Sequence, residues 1–90
     1  MKASKLYKAV RRSTPKGQMI YDVIHVSTGK KVAKTTSWSR NYVALLVWYN
    51  VDKGTFRVVN RFGRWDLVWK GLKDYHRRDP AYILVQIEKA

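Results

Sequence analysis

The sequence has no cysteine, so disulfides, thiolate metal sites and a cysteine nucleophile are excluded. Histidine is nearly absent too: His25 and His76 are the only two. A lone histidine on a strand or a helix stripe is more often a hydrogen-bonded boundary residue than a base or a ligand. Acids are scarce, with Asp22, Asp52, Asp66, Asp74, Asp79 and Glu88 scattered along the chain. No spacing among them forces two carboxylates onto one face, except between Asp74 and Asp79 near a helix end. Each acid has a plain structural role: Asp52 in a turn, Asp66 as a helix cap, Asp79 before Pro80. A metal-dependent nuclease sets a few acids in a basic domain, but needs a spacing not found here. The glycine-containing loops lack the G-x-x-x-x-G-K-[ST] and G-x-G-x-x-G patterns that cradle phosphates. The expectation is a protein that is not an enzyme, with no catalytic residue, no metal and no cofactor.

Long apolar runs are missing as well. The longest, Tyr42–Tyr49, has eight residues, against the ~20 needed to cross a bilayer. Met1–Leu6 has no apolar stretch of the signal-peptide kind. With the lack of cysteine, this predicts a cytoplasmic domain that is independent of membranes. There is no internal repeat, low-complexity tract or Gly/Ser linker. The 90 residues read as one domain, 1–90, with residues 1–4 loose.

What is abundant is positive charge. Nineteen lysines and arginines against six acids give a net charge of +13, in a chain that is 46% apolar. The apolar share predicts a folded domain. The charge predicts a polyanionic or acidic partner.

Strand signals dominate the first third. Lys5–Arg12, Gln18–Val26 and Lys31–Thr36 read as strands, the second of them rich in β-branched residues. Pro15-Lys16-Gly17 and Ser27-Thr28-Gly29-Lys30 provide the turns between them. Arg40–Asn50 is open to two readings. Tyr42, Leu45, Leu46 and Tyr49 have helical spacing, Ser39 is a good cap, and Asp52-Lys53-Gly54 is a plausible stop. Yet the stretch is apolar almost all round, and a buried strand has the same appearance. The cap and the stop favour the helix. Thr55–Arg61 alternates as a strand, with Phe56 and Val58 on one face and Arg57, Val59 and Arg61 on the other. Asp66 caps a helix over Leu67–Arg78, with Val68, Trp69, Leu72 and Tyr75 or His76 as its stripe and Pro80 as its stop. Gly71 weakens that helix by roughly 1 kcal/mol relative to alanine. Ala81–Glu88 is a last strand. The predicted fold class is α+β: a small antiparallel sheet in the order β-β-β-α-β-α-β, with two helices packed on one face.

Residues Tyr21–Val59 resemble a pattern seen in small bacteriophage-encoded β-β-α-β proteins of varied function. The matching pieces are Thr28-Gly29-Lys30, Ser39-Arg40, Asn50 and Lys53-Gly54. The resemblance covers under half the chain and carries no functional residue across. A phage origin implies the host cytoplasm.

The basic residues are unevenly placed. The first twenty residues hold Lys2, Lys5, Lys8, Arg11, Arg12 and Lys16 and no acid. Solvated faces usually mix signs, and this one does not. Lys30, Lys31 and Lys34 follow in the second hairpin, then Arg57, Arg61 and Arg64. One sheet face is expected to carry Lys8, Arg12, Lys34, Arg57 and Arg61 together. The candidate binding residues are thus Lys5, Lys8, Arg11, Arg12, Lys30, Lys31, Lys34, Arg57, Arg61 and Arg64. Tyr7, Trp38 and Phe62 are candidates for stacking on bases, beside basic neighbours. The favoured function is non-enzymatic, low-specificity binding of nucleic acid, DNA or RNA, through phosphates. The alternative is a phage-type inhibitor or adaptor that docks its basic face on an acidic surface of a host protein. A component of a ribonucleoprotein or virion is a third reading.

Overall fold

The computed structural model describes residues 3–78 and 81–89. The elements run β1 (Tyr7–Ser13), β2 (Met19–His25), β3 (Lys31–Ser37), β4 (Ala44–Asn50), β5 (Thr55–Phe62), α1 (Trp65–Arg78) and β6 (Tyr82–Lys89). The strands form one sheet in the order β3-β2-β1-β6-β4-β5. It curls until its outer strands, β3 and β5, lie side by side. There the Arg61 guanidinium donates to the Thr36 carbonyl at 3.0 Å. The result is a nearly closed, six-stranded, barrel-like sheet with a seam.

The β1-β2-β3 meander forms as its turn residues predict. Gly29, at φ 72°, supplies the left-handed residue of the β2–β3 hairpin. The sheet is not wholly antiparallel. After α1 the chain returns through β6, which pairs parallel with β1 and antiparallel with β4. Ala3 packs against the outer cluster, and the Ser4 N–H donates to the Leu84 carbonyl at 2.7 Å. The chain is therefore tied to the barrel from Ala3 onward.

The helix expected over Arg40–Asn50 is a strand, so the two-helix α+β arrangement is replaced by a mostly β fold with one helix. The physical reason lies in the two faces of β4. Leu45 and Val47 point into the barrel, among Ala9, Tyr21, Val23 and Val85. Ala44 and Leu46 point outward and are covered by Val68 and Leu72 of α1, beside Phe62 and Leu84. A strand covered on both faces must be apolar at every position. That is why the segment looked like a helix buried on all sides. Ser39 caps nothing: its Oγ accepts the Asn41 N–H at 3.2 Å, a local turn bond. The helical member of the phage-like pattern is accordingly absent, while its hairpin and its Lys53-Gly54 turn are present.

A bulge in the β4–β5 pair corrects a second expectation. Leu46 faces Asn60 but Val47 faces Val58, so Val59 is the extra residue. Beyond it the alternation reverses. Arg61 comes opposite inward-facing Leu45, and Phe62 opposite outward-facing Ala44. Arg57 and Arg61 therefore lie on opposite faces, and Phe62 is buried under α1 at 7% exposure.

The helix begins at Trp65. Arg64 donates to both Asp66 carboxylate oxygens, at 3.1 and 3.0 Å. Gly71 lies over the Phe62 ring, where a Cβ would sit 3.0 Å from Cε1. Close packing, not helix propensity, explains this glycine. Among the described residues, no helix is long and apolar enough to cross a membrane. The expected stop at Pro80 and the Asp74–Asp79 pairing lie outside the described residues, as do the side chains of Tyr75 and His76.

Two outcomes check this packing by urea denaturation. Gly71→Ala gains none of the ~1 kcal/mol that helix propensity alone offers, but becomes favourable by about that much once Phe62→Leu makes room. Asp22→Ala, which removes a buried carboxylate (3% exposed) from Arg12 and Lys31, lowers stability by about 1.5–3 kcal/mol. That loss shrinks in ~1 M salt, which screens the cations left facing one another.

Candidate nucleic-acid interface

Among the described residues, Asp22, Asp66 and Glu88 neutralise a specific subset of the lysines and arginines. On the outer face of β1-β2-β3, Arg12 Nε donates to Asp22 at 2.8 Å, and Lys31 Nζ lies 3.5 Å from the same carboxylate. Lys8 lies 3.4 Å from Glu88. Arg64 is held by Asp66. Four of the ten candidate cations are thus engaged by acids. Among the described residues, Lys5, Lys30, Lys34, Arg57, Arg11 and Arg61 form no ion pair, and neither does Arg40.

These seven do not share one face. Lys34 stands with Lys8, Arg12 and Lys31 on the outer face of the meander, in register with Asp22. Arg57 faces outward on β5, across the seam from β3. Lys5 and Lys30 lie at the end of the barrel where β1 and β3 begin. Arg11, Arg40 and Arg61 lie at the other end, where β1, β3, β5 and β6 finish. The face expected to unite Lys8, Arg12, Lys34, Arg57 and Arg61 is therefore split by the β5 bulge and by the curl of the sheet.

The arginine-bearing end forms a built mouth. Arg11 and Arg61 occupy inward register positions, opposite Tyr21 and Leu45. Arg11 reaches the loop 38–43 that joins β3 to β4, and Arg61 reaches the end of β3 just before that loop. Arg11 Nη1 donates to the Arg40 carbonyl, and Arg61 Nη1 to the Thr36 carbonyl. Between them the fully buried Tyr21 donates its hydroxyl to the Ser39 carbonyl at 2.5 Å. Tyr42 completes the set. Its ring lies 5.7 Å from that of Tyr21, and the Arg61 guanidinium sits 5.7 Å from its centroid. The Ser37 hydroxyl adds a 3.5 Å bond to the Tyr42 hydroxyl and accepts the Ser39 N–H at 3.1 Å. The carbonyls on both sides of Trp38 are thus gripped from below, while Trp38 itself is 68% exposed. A surface hollow at this end of the barrel is lined by Arg11, Arg40, Asn41, Tyr42, Val43 and Gly63.

Of the stacking candidates, Trp38 alone stands in solvent. Tyr7 is half-buried in the barrel, its ring 5.2 Å from His25 and 5.3 Å from Phe56. Phe62 is core. The residues missed in sequence are Tyr21, Arg40 and Tyr42. One signal did point to the loop: Trp38 stands in an otherwise polar run, T-T-S-W-S-R-N. Among the described residues, no group of three His, Asp or Glu side chains is placed to hold a metal.

Burial pushes the Tyr21 phenol above its ordinary value, and the Arg11 guanidinium nearby works in the opposite direction. A raised folded-state pKa means that the contribution of Tyr21 is complete below about pH 10 and is lost as pH climbs through the folded-state value. Tyr21→Phe is therefore expected to cost about 1 kcal/mol at pH 7, the net worth of a hydrogen bond. Denaturation from pH 7 to 11 will show that gap closing above about pH 10. No protein family matches the chain, and no curated protein or solved structure is similar to it.

Proposed function

We propose that this protein is a non-enzymatic nucleic-acid-binding protein that grips phosphates with low sequence specificity. One observation carries the reading: among the described residues the acids engage only part of the basic surface, and the arginines of the mouth form no ion pair at the barrel end that also carries an exposed tryptophan. A guanidinium offers five N–H donors in a fixed fork. The bonds from Arg11 to the Arg40 carbonyl of the loop and from Arg61 to the Thr36 carbonyl of β3 hold those forks in place without consuming all their donors. Lys34 and Arg57 extend the positive field to either side of the seam. Such a surface supplies affinity mainly by releasing counterions from a phosphate backbone.

A second reading is a small inhibitor or adaptor that docks its basic face on an acidic surface of a host protein, and the exposed face of α1 offers such a partner further contact. Trp65 and Trp69 stack on the helix with centroids 6.0 Å apart, and Trp69 and Leu67 are 49% and 46% exposed. Exposed tryptophan is the side chain most enriched at protein–protein hot spots.

Titration of a labelled oligonucleotide at several salt concentrations tests the first reading. The expected log–log slope is about −3 to −5, the value for four to six phosphate contacts. Absence of binding to both DNA and RNA at ~50 mM salt refutes it. In a pull-down from nuclease-treated bacterial lysate, a stoichiometric protein partner that survives favours the second reading.

A further inference from the structure

We infer that the mouth is a site for single-stranded nucleic acid, in which an unpaired base stacks on Trp38 and the adjoining phosphates meet the Arg11, Arg40 and Arg61 guanidiniums. This rests on the nucleic-acid reading above and specifies its substrate and its contact residues.

The first argument is exposure. A large indole, 68% exposed, stands on a protein whose other large aromatics mostly pack in the barrel or under the helix. Leaving it in water forgoes the gain of burying it. The second argument is rigidity. Trp38 lies between the Thr36 carbonyl, held by Arg61, and the Ser39 and Arg40 carbonyls, held by Tyr21 and Arg11. A platform fixed in this way has already met the entropic cost of ordering its loop before a base arrives. The third argument is charge. Arg11 and Arg40, which line the hollow, and Arg61, which lies over the Tyr42 ring, have no ion pair among the described residues. An aromatic platform beside unpaired cations is the combination that holds single strands: stacking accepts any base, and the cations follow the backbone. A duplex keeps its base faces inside the stack and offers Trp38 no such surface.

The chemistry separates stacking from charge, and so does the test. Binding is measured for three probes of equal phosphate number: a 15-mer of deoxythymidine, its abasic analogue and a mixed-sequence duplex of eight base pairs. The wild-type protein should bind the 15-mer about tenfold more tightly than the abasic strand. Trp38→Ala should abolish that ratio and leave abasic binding unchanged, with Trp38→Phe keeping part of it. Arg40→Ala should weaken the 15-mer and the abasic strand alike and reduce the salt slope by about one. Trp38 and Arg40 are both exposed, so unchanged melting temperatures are expected of these variants. Equal affinity for the 15-mer and the abasic strand, tighter binding of the duplex, or a ratio that survives Trp38→Ala overturns this inference and leaves phosphate binding standing. Failure of all three probes to bind removes the phosphate-binding reading itself, and this site with it.

Discussion

The constraint on which the rest of this fold depends is that β4 must be covered on both faces. One face of β4 closes the barrel interior through Leu45 and Val47. The other gives α1 its seat through Ala44 and Leu46. Remove the apolar character of either face and one of the two clusters loses its floor. The demand extends to β6, whose Val85 lies inside and whose Leu84 lies under the helix. The crossover β5-α1-β6 is what puts β6 between β4 and β1, and it makes the β1–β6 pair parallel. The helix is thus the cover of the barrel wall, not a second layer on an open sheet.

The curl of the sheet has a consequence for charge. In an open antiparallel sheet, cations at alternate positions would stand in one plane. In this barrel the same alternation sends some outward and some to the ends. The β5 bulge then turns Arg61 inward, where it meets Tyr42 and the β3 carbonyl row. Arg11 follows the same rule from β1. Inward positions at the end of a barrel are half-wet, so an arginine there keeps its stem among apolar neighbours and its fork at the rim. Arg11 and the buried Tyr21 hold the β3–β4 loop by its carbonyls, and Arg61 holds the end of β3 that leads into it. Rigidity of the loop is thereby coupled to integrity of the core.

Much of this was legible in local patterns. The meander, β5 and the last strand follow from β-branched runs and turn residues, and Gly29 marks its hairpin through its positive φ. The helix after Asp66 follows from its apolar stripe and its acidic start. Trp38 was one of three aromatics singled out beside basic residues, and of the three the fold leaves it alone in solvent. The segment Arg40–Asn50 did not yield to the same reasoning, because an apolar run covered from two sides has no periodicity to betray its type. Phe62 and Arg61 were misplaced for another reason: a bulge shifts every later residue by one, and a bulge leaves almost no trace in sequence.

The amino-acid sequence by itself determined the size of the charge surplus, the absence of thiol chemistry, the turns, and the amphipathic helix. These depend on composition or on neighbours within a few residues. Only the tertiary structure decided which cations are neutralised, because the pairs Lys8–Glu88 and Asp22–Lys31 join separate strands. It alone brought Arg11, Arg40 and Arg61 to the barrel end that carries Trp38, since this requires β1, the β3–β4 loop and β5 to converge there. Contacts of that kind are set by sheet order and register, which are global properties of packing and cannot be read from any short stretch of chain.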